Sequence, residues 1–183
     1  MTIETTHNPD LEIVKKVVYD KCGFALTKLK MNSESVEYGA CSFELNGQIV
    51  AYRVSKITPA KAGQFVTIWK RNQLGLTEPF DLSDHIDFVV ITSRRGDQLG
   101  QFVFPKTVLV EKGIMSRNGK VGKRGIRVYP SWDTTTNKQA ERVQRWQIEY
   151  FVEIKGDNTT DLGLVRKLFG HTNTIETDVC YAK

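Results

Sequence analysis

Hydrophobic and polar positions change rhythm several times along these 183 residues. Leu11, Val14, Val17, Val18 and Cys22 recur at helical spacing, with Asn8 and Pro9 placed as N-cap and first-turn proline and Gly23 placed to end the helix. From Glu37 the period becomes two, and YGACSFELNGQIVAYRVSKI reads as two strands joined at Asn46-Gly47, whose residues accept the positive φ of a type I′ hairpin. Alternation gives one face to Ala40, Ser42 and Glu44 and the other to Cys41, Phe43 and Leu45, turning Glu44 away from the core or into a polar cleft.

After a turn at 58–63 containing Pro59, QFVTIWK predicts a third strand ending in Trp69, Lys70 and Arg71. NQLGLTEPFDLSDH is rich in turn formers and suits a loop with a helical turn capped by Asp81 or Ser83. IDFVVITS is almost continuously apolar and β-branched, the signature of a strand buried on both faces at the sheet's centre. Arg94 to Asp97 form the next turn, and GQFVFPKTVLVEKG returns as a strand in which Pro105 argues for an edge position or a bend. GIRVYP is a further short strand.

The longest helical pattern covers 134–154, with Ala140, Val143, Trp146, Tyr150, Phe151 and Ile154 mostly on one side and Lys138, Arg142 and Arg145 on the other. A short helix over 161–169, ended by Gly170, and a terminal strand in IETDVCYA complete the pattern. The fold class expected is α+β: one domain over 1–183 with a predominantly antiparallel or mixed sheet flanked by N-terminal and C-terminal helices. A restriction-endonuclease-like core without a working active site is a fold-level analogy for it.

Composition narrows the function classes. Forty per cent hydrophobic content excludes a disordered chain, and no apolar run approaches the roughly 18 residues of a membrane helix. MTIETTHNPD lacks the basic cap and apolar segment of a secretory signal, so a cytoplasmic protein without membrane insertion is expected. Cys22, Cys41 and Cys180 form no CxxC, and His7, His85 and His171 have no metal-binding spacing, so neither a disulfide framework, a metal nor another cofactor is expected. The cysteines suit small buried positions.

A net charge of +5 with a pI near 9.1 is moderate, but the cations cluster. Between 115 and 132, Arg117, Lys120, Lys123, Arg124 and Arg127 stand together with no acidic residue among them. Gly119, Gly122 and Gly125 interrupt them, and glycine lets backbone amides approach an anion closely. Tyr129 and Trp132 follow, so cations meet flat aromatic surface, the pairing that nucleic-acid grooves use for phosphates and bases. The plain alternative is a solvated basic loop, and Glu141 and Glu149 weaken the field of the Lys138, Arg142 and Arg145 ridge.

Catalytic motifs are sparse. A metal-dependent nuclease of the restriction-endonuclease-like class needs an acid on one strand and a D/ExK element on the next, whereas the ExK here, Glu153 to Lys155, falls at the end of the expected helix. Glu44, Asp87 and Glu37 with Lys56 would be the divergent alternative, while Asp81, Asp84 and Asp87 suit caps and turns. No GxSxG, GxxxxGK[ST] or GxGxxG occurs, and no catalytic residue is assigned.

The blocks YGACSFELNGQIVAYRVSKITPAKAGQFVTIWKR, PFDLSDHIDFVVI, GQFVFPKTVLVEKGI, NGKVGKRGIRVYPSWD and TTNKQAERVQRWQIEYF resemble the MepB-like family over most of 38–151. The resemblance implies a bacterial cytosolic setting beside a multidrug efflux operon and brings no catalytic motif with it. From the residues, the leading expectation is a non-enzymatic domain that binds nucleic acid, DNA or RNA. Phosphates would meet Arg117, Lys120, Lys123, Arg124 and Arg127; Trp69, Tyr129 or Trp132 would supply stacking, although core packing is the expected role of Trp69 and Trp146. A nuclease using Glu44 and Asp87, and a small-molecule or protein adaptor tied to efflux, are the alternatives; the oligomeric state is open.

Overall fold

The structure, a computed structural model, describes residues 8–170. Its first helical stretch is α1 (Pro9–Val14), a π-helical turn over Lys15–Tyr19 and α2 (Asp20–Cys22). Asn8 caps it, its side-chain oxygen accepting from the amides of Asp10 and Leu11 at 3.1 and 3.2 Å, and Gly23 closes it at φ +75°. Strands β1 (Leu26–Met31), β2 (Cys41–Leu45) and β3 (Gln48–Val54) form an antiparallel meander, with Asn46 and Gly47 at φ +50° and +79° in the expected turn.

β3 then pairs in parallel with β8 (Phe88–Arg95), and antiparallel β9 (Gln98–Pro105) and β11 (Phe151–Ile154) complete a six-stranded sheet, β1-β2-β3-β8-β9-β11. The chain is thus α+β with a mixed, mostly antiparallel sheet, and β8 lies inside it as its apolar run requires. A parallel connection must cross a sheet face. The β3–β8 crossover carries β4 (Lys56–Ile57), β5 (Gln64–Thr67), β6 (Trp69–Arg71) and β7 (Thr77–Pro79). After β9 come α3 (Lys106–Glu111), β10 (Gly125–Val128), α4 (Lys138–Ile148) and, beyond β11, α5 (Leu162–Leu168).

One sheet face, through Phe43, Val50, Tyr52, Phe88 and Val90, packs on Leu11, Val14, Val18, Val165 and Phe169, so the first and last described helices share it. The other, through Ala51, Val89, Ile91, Phe102 and Phe104, packs on Val66, Ile126 and Val128 of a three-stranded sheet, β10-β5-β4. That small sheet joins two distant segments, because β10 pairs with β5 from Gly125↔Thr67 to Val128↔Gln64.

Three expectations are corrected. QFVTIWK is divided between two sheets, β5 going to the small sheet and β6 to the β6–β7 hairpin. Of the two readings of Pro105, the edge fails and the bend holds: β9 lies between β8 and β11, and at Pro105, its last residue, the chain turns into α3, so Lys106–Glu111 are helix and not the expected strand. The helix expected over 134–154 stops at Ile148, a turn closes as Tyr150 N–H donates to Gln147 O at 3.0 Å, and Phe151–Ile154 pair with β9 instead. An open strand edge offers those residues backbone partners that an extended helix would leave unmatched. In the 72–85 segment the cap expectation holds without a helix, Asp81 accepting from the amide and hydroxyl of Ser83. Cys41 is buried, its thiol pushed up to about 12 by desolvation, and Cys22 is half-buried. The expected strand in 175–182, His7, His171 and Cys180 lie outside the described residues.

Two buried charges are structural features that periodicity did not signal. Arg53, 1% exposed, donates to the carbonyls of Tyr52 and Trp69 at 2.8 and 3.4 Å and stands 5.9 Å from the Phe80 ring; burial lowers its pKa to about 10. The Asp133 carboxylate is 1% exposed, lies 2.8 Å from Arg95 Nη1, and has no hydrogen bond to either oxygen. Burial raises its pKa and Arg95 opposes the rise. A carboxyl raised on folding contributes stability below its unfolded pKa, about 3.9, that is lost as pH rises through the folded value. Asp133→Asn is therefore expected to gain on the wild type in urea midpoint from pH 4 to pH 7, checked by parallel unfolding curves.

Candidate functional site

The basic segment begins after Met115 with a tight hairpin turn. Arg117 and Lys120 exchange backbone hydrogen bonds at 3.0 and 2.9 Å across Asn118-Gly119, whose φ values of +50° and +78° are those of a two-residue turn. Both side chains are exposed there, side by side. Gly122 serves a different purpose from the one its spacing suggested. A Cβ there would meet Ile114 O at 2.3 Å, and its amide donates to Ser116 Oγ at 2.9 Å rather than facing an anion. Gly122→Ala is expected to displace the loop and cost about 1–3 kcal/mol, read as a lowered Tm.

Arg124 and Arg127 are tied to backbone oxygens. Arg124 donates through Nε and Nη2 to Thr77 O at 3.2 and 2.9 Å, clamping the loop to β7. Arg127 donates to Ala62 O, Gly63 O and Thr58 Oγ1 at 3.1, 3.3 and 2.6 Å, stapling the turn before β5. Carbonyls and a hydroxyl orient these guanidinium groups without neutralising them.

Tyr129 is buried, its ring covering Gly63, where a Cβ would lie 2.6 Å from it. Trp132 packs edge-on against Phe151 at 5.4 Å. These two rings are wall and core. Trp146, as expected, packs against Phe104 at 5.3 Å. Lys138, Arg142 and Arg145 are exposed on α4, on the side away from Ala140, Val143 and Gln147.

That opposite side of α4 and the edge of β10 enclose a cleft of about 560 Å³. Lys61, Lys112, Lys123 and Arg127 line it, and among the described residues no Asp, Glu, His, Cys, Ser or Thr does. Of the ten residues singled out in the sequence, Lys123, Arg127 and Tyr129 therefore meet at the cleft, Arg117, Lys120 and Arg124 lie along the adjoining loop, and the α4 ridge and Trp132 stand apart from it.

Sequence reasoning missed Lys61, Phe65 and Lys112. Phe65 sits in a cross-strand row, paired with Lys56 on one side and Arg127 on the other. The Lys56 ammonium stands 4.5 Å over the Tyr38 ring, which meets Phe65 edge-on at 6.3 Å. A signal existed: in QFVT the alternation leaves Phe65 on the opposite face from buried Gln64 and Val66. A large apolar residue on an outward face invites a question that its strand assignment alone did not.

The carboxylates considered for metal chemistry are dispersed. Glu44 pairs with Lys28 at 2.8 Å, while Asp87 accepts from Ile49 N–H at 2.7 Å. β3 lies between their strands, a separation of about 10 Å for two strand spacings. Among the described residues no three His, Cys, Asp or Glu side chains group as a metal site. Among them, too, no helix is long and apolar enough to cross a membrane.

A sequence model of the MepB-like family matches residues 32–153. No curated protein matches the chain. Among solved structures, one described as the crystal structure of MepB is 30% identical, covering 81% of this chain and 98% of its own, with a TM-score of 0.71. The matched span runs from just after β1 into β11 and so contains the six-stranded sheet's central strands, the small sheet and every residue of the cleft. The chain belongs to the MepB-like family.

Proposed function

We propose that this protein is a nucleic-acid-binding module that acts by contact rather than by catalysis, with the cleft and the adjoining 117–124 loop as its binding surface. The observation that carries the reading is the composition of the cleft wall: Lys61, Lys123 and Arg127, with Lys112 beside Glu111 at 3.8 Å, around apolar and aromatic side chains, and no carboxylate in the lining among the described residues. Cations in excess of acidic neighbours attract a polyanion, and apolar walls accept flat bases. Among the described residues no Asp, Glu, His, Cys, Ser or Thr lines the cleft, which supports binding over turnover.

The direct test is fluorescence anisotropy with labelled single-stranded and duplex DNA and RNA, from low to high salt. Saturable binding that weakens steeply with salt is expected, and Lys61→Ala/Lys123→Ala should weaken it. Absence of binding at low salt would overturn the reading. So would Mg²⁺-dependent cleavage abolished by Glu44→Ala or Asp87→Ala, which would favour the nuclease alternative.

A further inference from the structure

We infer that the cleft holds one unpaired nucleotide of a bound strand, its base against Phe65 and its phosphate at Lys61 and Lys123. This rests on the nucleic-acid reading and adds what the cleft recognises. Its volume of about 560 Å³ falls in the range of small-ligand sites, about 300–1,000 Å³. A cleft between a helix and a strand edge can take a free base but not a base pair within a duplex stack.

The aromatic residues of the wall are not equivalent. Trp146 is packed against Phe104 and Tyr150, and Tyr129 is buried over Gly63. Phe65 is half-buried and belongs to neither core cluster. Its ring is nevertheless held in place: it lies against Gly125, where a Cβ would come within 2.6 Å of Phe65 Cζ, and Tyr38 abuts it edge-on. A ring already fixed loses little freedom when a base stacks on it.

Polar groups divide in the same way. Gln147 is engaged at both ends, accepting from Tyr129 N–H and donating to Arg127 O, each at 2.9 Å, so it builds the wall. Asn137 accepts from Ala140 N–H through Oδ1; it and Gln139 line the cleft and carry amide donors suited to a base edge. The Arg127 guanidinium is held by three protein oxygens, so phosphate contact is assigned to the lysines and Arg127 contributes its charge.

The experiment compares a labelled single-stranded DNA with an abasic phosphodiester strand of equal length, with 5′-AMP and inorganic phosphate as competitors. Wild-type protein is expected to hold the base-bearing strand at least about fivefold more tightly than the abasic one. It should also release the base-bearing strand at a lower concentration of 5′-AMP than of phosphate. Phe65→Ala and Phe65→Leu should both erase the base dependence while Phe65→Tyr retains it; the leucine variant keeps apolar cover over Gly125, so the loss cannot be ascribed to misfolding. Equal binding of both strands by the wild type, or a base dependence that survives Phe65→Leu, would overturn the nucleotide site and leave a phosphate-only nucleic-acid binder. Failure of the wild type to bind either strand at low salt would remove both proposals.

Discussion

Truncating Phe102 to Ala is expected to destabilise the protein by about 3–5 kcal/mol, through lost burial and the cavity left behind. Phe102 is 0% exposed on β9, packs against Phe104 and Phe151 at ring distances of 5.4 and 4.5 Å, and pairs in register with Ile91 and Phe151. Few neighbours can collapse into the gap, because β8 and β11 hold its flanks and the small sheet covers its face. Urea unfolding monitored by tryptophan fluorescence measures the loss. Phe65→Ala should instead cost less than about 1 kcal/mol, in line with a half-buried position outside both cores. Similar losses in the two variants would mean that the small sheet's outer face is as much a core as the interface beneath it.

The second large effect is on binding. Each phosphate neutralised contributes a slope of about −0.9 in log K against log salt on duplex and about −0.7 on single strands. Both lysines meet the same phosphate, so Lys61→Ala/Lys123→Ala should shallow the slope by about 0.9 or about 0.7, and weaken binding to all sequences alike, since phosphate contacts position without specifying. A useful control removes equal charge elsewhere without disturbing the fold. Arg94 and Arg95 are unsuitable, because Arg94 bridges Asp10 at 2.6 Å and Arg95 accompanies the buried Asp133. Lys16 and Lys30 are exposed, on the first helical stretch and on edge strand β1, away from the cleft. Equal slope changes in the Lys16→Ala/Lys30→Ala variant would reduce the interaction to diffuse attraction between a basic protein and a polyanion.

Where binding is measured, the arginines need separate treatment from the lysines. Arg124→Ala removes a charge and also releases the loop from Thr77 O; Arg127→Ala also frees the turn at Ala62 and Gly63. A loss of affinity in either variant combines charge with geometry, whereas Lys61 and Lys123 at the cleft report mainly on charge. Arg→Lys replacements at 124 and 127 keep the charge while breaking the forked donor pattern.

Local chemistry in the sequence determined the capped first helix, the Asn46-Gly47 hairpin and the buried β8 strand, because caps, positive-φ turns and continuous β-branched runs each depend on residues within a few positions. It also determined that cations gather between 117 and 127. Tertiary structure decided the rest. Trp146, Tyr150, Phe151 and Ile154 satisfy a helical period, but the free edge of β9 drew Phe151–Ile154 into the sheet, and no local pattern records an unpaired edge elsewhere in the chain. The carbonyls that orient Arg124 and Arg127 come from Thr77, Ala62 and Gly63, some 47 to 65 positions away. Likewise Lys61 and Phe65 reach Lys123 only because β5 pairs with β10, a contact between segments about 60 residues apart whose register is set by packing against the main sheet. Charge and pattern are properties of neighbours in sequence, whereas a cleft is made of neighbours in space.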